Sequence, residues 1–338
     1  MSLELLLSRF LYYVEKGDPL PVAFKKAKEM KGSKVTPNAY EMARLLVLQY
    51  FSLKGKSMRK KVRQFLEGKG KIKFPDWAEE ELSKLYELDK LKESLKKRNV
   101  WFWVNTLKAD EDKVLKRLEN KILFERDRDI PFLYKVTRGE LSKTEEFKRF
   151  EVIIQDKGSV SVVVTLNPQR GESIYDMSSA PGIKAALIMV LTDNGVNLTV
   201  SDVDLKRLNK EREFLKNVGV NMDKVNIINT DGRVVSFSKK FDKVLLDAPC
   251  TSSGMIANEP TVLLRLSKER LLNMSALQKE LLKNALSMSN HVVYATCSLF
   301  PEEGEEVVQS VNAKVISQRR LIPYIHDTEA FFISELEG

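Results

Sequence analysis

The chain is poor in cysteine, in histidine and in long apolar runs. Two cysteines (Cys250, Cys297) and two histidines (His291, His326) among 338 residues leave no Cys/His cluster for structural zinc and no disulfide scaffold. No metal is expected. No apolar run reaches the roughly 18–20 residues that a membrane span needs, so no membrane partner is expected either. The start, Met1-Ser2-Leu3-Glu4, lacks the basic segment, apolar stretch and small-residue cleavage site of a secretory leader. Composition also excludes collagen-like and disordered classes, while 43% apolar residues suffice for a packed core. These deficits predict a cytoplasmic chain, the length of 338 residues predicts two or three domains, and a monomer is expected. The two cysteines themselves then need an explanation.

Charge is unevenly placed. Lysine and arginine total 56 against 47 acids, a net of +9. Residues 1–150 hold 35 basic and 23 acidic side chains, whereas residues 151–338 hold 21 and 24. The densest stretch runs from Lys54 to Lys73 and contains Lys56, Arg59, Lys60, Lys61, Arg63, Lys69 and Lys71 against Glu67 alone. The asymmetry predicts a polyanion-binding front half joined to a near-neutral back half. A solvated helix face is the competing reading. The stretch lacks a strong apolar face with aromatic anchors, which favours nucleic acid over membrane and makes Lys60, Lys61 and Arg63 candidate contacts.

Apolar residues at helical spacing over 3–15 and 38–53, with turn signals at Gly17–Pro21 and Gly32–Pro37, predict a helical N-terminal unit over 1–68. Gly68-Lys69-Gly70 reads as a linker. A helix over 75–91, a strand at Trp101–Val104, a helix over 110–121 and strands at 151–154 and 159–166 make 74–166 a small α+β module. From 167 to 338 the pattern becomes strand–turn–helix. Strands are expected at Ser173–Met177, Leu198–Ser201, Val225–Asn229, Lys243–Asp247 and His291–Ala295, with helices at 183–192, 205–217 and 267–288. Such alternation predicts an α/β fold with a doubly wound, mostly parallel sheet whose ligands lie at the carboxyl ends of the strands.

The first of these strands ends at Asp176 and continues through Met177-Ser178-Ser179-Ala180-Pro181-Gly182-Ile183-Lys184 into a helix. Small residues let backbone approach a ligand closely, Gly182 permits an unusual backbone angle, and a helix start offers N–H groups to polar or anionic atoms. This is not GxGxxG, and a plain tight turn is the alternative. The second strand ends at Asp202, where an acid accepts hydrogen bonds from ribose hydroxyls of a nucleoside cofactor; Asp204 competes for that role. After the third comes Asp231, an acid suited to an adenine amino group. Singly each is a turn residue or helix cap. Together they predict an adenosine-containing cofactor.

The fourth strand leads into Asp247-Ala248-Pro249-Cys250 and the fifth into Thr296-Cys297-Ser298. Both cysteines thus follow adjacent strands at the ligand-binding edge, which favours chemistry over packing. A structural disulfide is the competing reading, disfavoured inside mesophilic cells but not inside hyperthermophiles.

These loops, with Asp176-x-x-x-Ala-Pro-Gly-x-Lys184, resemble the RsmB/NSUN (Sun) family of S-adenosylmethionine-dependent RNA cytosine-C5 methyltransferases. Asn105-Thr106-Leu107-Lys108, Gln155-Asp156-x-x-Ser159, Pro301-Glu302-Glu303-x-Glu305 and Ala330-Phe331-Phe332-Ile333 look like family landmarks in the same order. The resemblance runs from about Phe74 to the C-terminus, and the N-terminal helices are similar to a reduced NusB-like domain. It implies a Rossmann-like class I methyltransferase core over 167–338, an RNA-binding module over 74–166, S-adenosylmethionine as cofactor and structured RNA as partner. By the same resemblance Cys297 attacks carbon 6 of cytosine and Asp247 binds and protonates the base near nitrogen 3. Cys250 assists release of the product, and Lys184 holds Asp247 and keeps the site electropositive. Cofactor contacts fall on Ser178, Ser179, Ala180, Pro181, Gly182, Ile183, Lys184, Asp202, Asp231 and Asp247, and Arg207 matches a family arginine. The N-terminal extension tilts the expected substrate toward ribosomal rather than transfer RNA.

The chain departs from the family pattern in several places. The family loop commonly reads Cys-Ala-Ala-Pro-Gly-Gly-Lys, whereas here Ser178 and Ser179 precede Ala180, and Ile183 replaces a glycine. Thr251-Ser252-Ser253-Gly254 replaces Ser-Gly-Thr-Gly, Gly304 replaces an asparagine, and Glu329-Ala330 stands where a glycine is usual. None of these removes a catalytic group. A DNA cytosine enzyme would use Cys250 as nucleophile and carry a large target-recognition region. An amino-methyltransferase would need an Asn/Asp-Pro-Pro-aromatic loop, and an NAD-type oxidoreductase a GxGxxG turn. From a different class, an RNA-binding assembly factor on a catalytically idle fold is the alternative. Retention of Lys184, Asp247, Cys250 and Cys297 argues against it.

Overall fold

A computed structural model describes residues 3–29 and 38–338, so the turn signal at Gly32–Pro37 lies outside the described residues. The chain divides into two units. The first comprises Met1–Arg98, Thr251–Leu272 and Cys297–Phe300, and the second Asn99–Cys250, Asn273–Thr296 and Pro301–Gly338.

In the first unit the apolar periodicity folds into α1 (Leu3–Glu15), α2 (Leu20–Glu29), α3 (Ala39–Leu48) and α4 (Met58–Leu66). Phe10, Leu11, Ala23, Leu46 and Val62 meet in one core. The helix expected over 75–91 is two helices, α5 (Asp76–Leu85) and α6 (Leu88–Ser94), because Tyr86 adopts an extended backbone at the break. Its hydroxyl donates to the Leu299 carbonyl at 2.7 Å. Trp77 stacks on Phe300, with ring centroids 5.4 Å apart. Arg44 is fully buried and donates to the carbonyls of Leu95 (2.9 Å), Lys96 (2.6 Å) and Ala257 (2.8 Å), besides pairing with Glu41. A buried guanidinium with its donors filled ties three distant stretches of chain together.

The second unit holds two sheets. The smaller contains β1 (Trp101–Val104), β2 (Leu123–Arg126), β3 (Leu133–Arg138) and β4 (Val152–Ile154), antiparallel in the order β2-β3-β1-β4. Helix α7 (Glu111–Glu119), capped by Asp110, packs Val114 and Leu118 against Phe102 and Tyr134. The β-branched run expected as a strand at 159–166 is instead helix α8 (Lys157–Leu166). The Asp156 carboxylate accepts the Gly158 N–H at 2.8 Å to start it, and Asn167 closes it in the left-handed region. Burial of Val160, Val162, Val163 and Leu166 outweighs the β preference of the valines.

The larger sheet contains β5 (Ser173–Asp176), β6 (Asn197–Asp202), β7 (Val225–Asn229), β8 (Lys243–Asp247), β9 (His291–Thr296), β10 (Lys314–Leu321) and β11 (Phe331–Glu337). Its order is β10-β11-β9-β8-β5-β6-β7. β5 to β9 are mutually parallel; β10 and β11, absent from the expected strands, add an antiparallel edge. Helices α9 (Ile183–Leu191), α10 (Leu205–Val218) and α11 (Lys268–Met288) lie close to the expected positions. Strand order reverses at β5, with β6 on one side and β8 on the other. Such a switch point opens a crevice at the carboxyl ends of the strands.

Candidate active site

Asp176 ends β5 with 1% of its surface exposed, and among the described residues neither carboxylate oxygen meets a side-chain hydrogen-bond partner. Burial, with Glu211 and Asp247 nearby, pushes its carboxyl well above the ordinary range, against the opposing charge of Lys184. An acid stored this way is suited to a cation that arrives from outside.

The following loop turns into α9 at Gly182, whose φ of +92° favours glycine. A Cβ there would stand 2.7 Å from Cγ of Glu211, so the position also has no room for one. Ile183 is the first residue of α9 and needs no special backbone angle, which accommodates the departure from glycine. Ser179 donates its N–H to the Ser201 carbonyl (2.9 Å) and its hydroxyl to Glu211 (2.7 Å). Glu211 is fully buried on the apolar face of α10, among Leu208, Leu215 and Val218. Burial pushes its carboxyl up to about 7.

Asp202 ends β6 and is 4% exposed. It pairs with Arg207 at 3.1 Å, and Arg207 also donates to the Ala180 carbonyl, binding the loop to the second strand end. Asp204 accepts the backbone N–H groups of Lys206 (2.8 Å) and Arg207 (3.1 Å), which makes it the cap of α10. Asp231 follows β7 and pairs with Arg233 at 2.7 Å, which together with the Arg233 N–H holds its carboxyl below the ordinary range.

Lys184 donates to Asp247 at 2.6 Å, and its ammonium lies 5.7 Å from the Phe331 ring centroid. Asp156, whose carboxyl is held up by burial against the Lys184 charge, accepts the Thr328 hydroxyl (2.5 Å) and the Glu329 N–H (3.2 Å). Asp247 registers opposite Ala295, so the Asp247–Cys250 loop and Thr296-Cys297 start from neighbouring parallel strand ends. No disulfide joins the two cysteines, which removes that competing reading; Cys250 is buried and Cys297 half-buried. In the first unit the Cys297 carbonyl accepts the Gly254 N–H at 3.0 Å.

Lys60 and Arg63 are exposed on α4, and Arg63 pairs with Glu4 at 2.9 Å. Lys61 is half-buried, 3.6 Å from the Tyr50 ring centroid and 3.7 Å from Glu15. Gly304 has no room for the family's asparagine, because a Cβ would stand 2.8 Å from Cγ of the buried Phe332 ring. The roles of Asp176 and Glu211 were not assigned from the sequence. The detectable signal for Glu211 was a carboxylate on the apolar side of a helix. Among the described residues no cluster of three or more His, Cys, Asp or Glu could hold a metal ion, and no helix is long and apolar enough to cross a membrane.

Residues 163–316 match the family model described as 16S rRNA methyltransferase RsmB/F. The human 28S rRNA (cytosine(4447)-C(5))-methyltransferase is 30% identical over 240 residues, covering 58% of this chain and 28% of that protein. The chain spans 28%, 29% and 38% of the length of three such curated relatives. A crystal structure of a protein without a functional name superposes on 100% of this chain and 99% of its own, at 21% identity and a TM-score of 0.83. A methyltransferase homolog protein from Pyrococcus horikoshii covers 90% of this chain and 100% of its own, with 26% identity and a TM-score of 0.69.

Proposed function

We propose that this chain, whose residues 163–316 match the RsmB/F methyltransferase family model, methylates carbon 5 of a cytosine in structured RNA through a covalent cysteine adduct. The observation that carries this reading is the β8–β9 pairing, from whose adjacent ends the Asp247–Cys250 and Thr296–Cys297 loops begin.

The cofactor of this reading, S-adenosylmethionine, fits the residues present. The buried Asp176 carboxylate, which no side chain partners, suits its ammonium group, and Gly182 lets the Ser178–Lys184 backbone approach closely. Asp202 would accept the ribose hydroxyls and Asp231 would meet the adenine amino group, while Arg207, paired with Asp202, braces the loop. When bound, the cofactor supplies an electrophilic methyl group.

Carbon 5 of cytosine is a poor nucleophile until a thiolate adds to carbon 6. The Cys297 thiolate forms that bond, and the displaced electron pair moves toward nitrogen 3, which takes a proton from Asp247. Lys184, 2.6 Å away, fixes the direction of Asp247. After carbon 5 is methylated its proton leaves, the Cys297–carbon 6 bond breaks, and the nitrogen 3 proton returns to Asp247. Cys250 assists this release by accepting the carbon 5 proton. A stacked base must be extruded to reach such a site, which requires a grip on flanking RNA. The basic residues of α4, including Lys60, Lys61 and Arg63, contribute to that grip. Ribosomal RNA is the favoured substrate, because both the matching family and the human relative are described by rRNA methylation.

Cys297→Ala is expected to abolish transfer of labelled methyl to RNA, and Cys250→Ala to accumulate a covalent RNA–protein species on denaturing gels. Full activity of the Cys297 variant refutes the mechanism. RNA binding by the wild type without methyl transfer to any RNA would support the assembly-factor alternative instead.

A further inference from the structure

Beneath the Asp247–Cys250 loop lies a buried polar cluster that the proposed chemistry has not used. Gln278, on α11, is 0% exposed. Its amide nitrogen donates to the Pro249 carbonyl at 2.8 Å and to the Glu303 carboxylate at 3.2 Å. Its amide oxygen lies 3.3 Å from the Tyr294 hydroxyl, which stands 2.8 Å from the Glu303 carbonyl. The Thr296 hydroxyl donates to that same carbonyl at 2.9 Å. Glu303, also 0% exposed, therefore receives the end of β9 through its backbone and reaches the Pro249 loop through Gln278.

An apolar side chain of similar volume would fill this space without the cost of burying an amide, so the network acts mainly through geometry. Its donors and acceptors converge on the peptide carbonyl immediately before Cys250 and on the last residue of the strand that precedes Cys297. Burial, with Cys250 and Glu303 nearby, keeps the Tyr294 hydroxyl protonated and available as a donor.

We propose that Gln278 and Glu303 are positioning residues, a clamp that sets the Pro249–Cys250 peptide so that Cys250 reaches the adduct during release. This rests on the covalent mechanism proposed above. Losing the clamp leaves the Cys297 attack intact and misdirects the partner that lets the base go.

The test follows adduct formation and adduct decay separately, in single-turnover reactions with RNA and S-adenosylmethionine, on denaturing gels. Gln278→Met keeps side-chain volume and removes the hydrogen bonds. It is expected to form adduct at a rate close to wild type and to release it about tenfold more slowly, which lowers kcat and KM for RNA together once release is rate-limiting and leaves kcat/KM unchanged. Glu303→Gln keeps an acceptor for Gln278 and is expected to release at the wild-type rate, whereas Glu303→Ala slows release and serves if the Gln278 variant does not fold. Equal loss of formation and decay, or decay at the wild-type rate in both Gln278→Met and Glu303→Ala, overturns the clamp. Cys250→Ala is the control: if it traps no adduct, the underlying mechanism fails. If it traps adduct while the clamp variants do not, the clamp alone fails.

Discussion

Replacing Glu211 by glutamine is expected to stabilise the protein by an amount that grows from about pH 4.5 to about pH 7 and then holds. Glu211 is fully buried, and its carboxyl is pushed from the ordinary 4.5 up to about 7. Burial is the main cause; the Asp202 charge adds to it, and the Ser179 hydroxyl and Arg207 oppose it. Asp176 also faces this group from the end of β5. A raised carboxyl pKa means that folding disfavours the ionised form. The resulting penalty is absent below about pH 4.5 and complete above about pH 7. At about 1.4 kcal/mol per pKa unit the penalty reaches about 3 kcal/mol. Glutamine keeps an oxygen for Ser179 and carries no charge, so it escapes this cost. Urea unfolding of both proteins from pH 4.5 to 8.5 reads the difference directly. Removing the Glu211 charge also relieves the Asp176 carboxyl, which adds to the gain in the same direction. The gain from Glu211→Gln should be near zero at the acid end and rise through pH 5–7. A difference that is flat with pH, or a wild type that is the more stable protein at pH 8, refutes the reasoning.

Two further outcomes follow from geometry already described. Gly182→Ala forces an L-residue into a φ of +92° and sets its Cβ 2.7 Å from Glu211. It should cost about 1–2 kcal/mol in thermal unfolding and weaken S-adenosylmethionine binding by calorimetry. Alanine at Lys60, Lys61 and Arg63 should weaken RNA binding and flatten its dependence on salt while leaving cofactor affinity unchanged. An unchanged salt slope would make this run a solvated face.

The parallel core was legible because its signals are local. Each of β5 to β9 is a short apolar run closed by an acid, a glycine or a small-residue turn, and the observed strands fall within a residue or two of the expected ones. The misassigned segments depend on partners far away in sequence. The valines of 160–164 prefer a strand on their own and become helical because an Asp156 cap and a two-sided burial site exist. The helix break at Tyr86 accompanies a hydrogen bond to Leu299, more than two hundred positions on, which no window of sequence contains. In the site, Asp202 and Asp204 are indistinguishable as letters. Backbone geometry separates them, because Asp204 spends its carboxylate on the first turn of α10. Glu211 and Gln278 went unassigned because a buried polar residue inside a helix looks like a surface residue until its neighbours are known.

The segmented build of the first unit also sets a timetable for synthesis. Helices α1 to α6 leave the ribosome long before Thr251–Leu272 and Cys297–Phe300, which complete the same unit. Until then Arg44 lacks the Ala257 carbonyl, Tyr86 lacks Leu299, and Trp77 has no Phe300 to stack on. At ordinary elongation rates the wait of about 200 residues lasts roughly 10–40 s. The front of this protein is thus translated first and finished among the last, an order that favours a nascent chain shielded by chaperones over one that folds from its N-terminus.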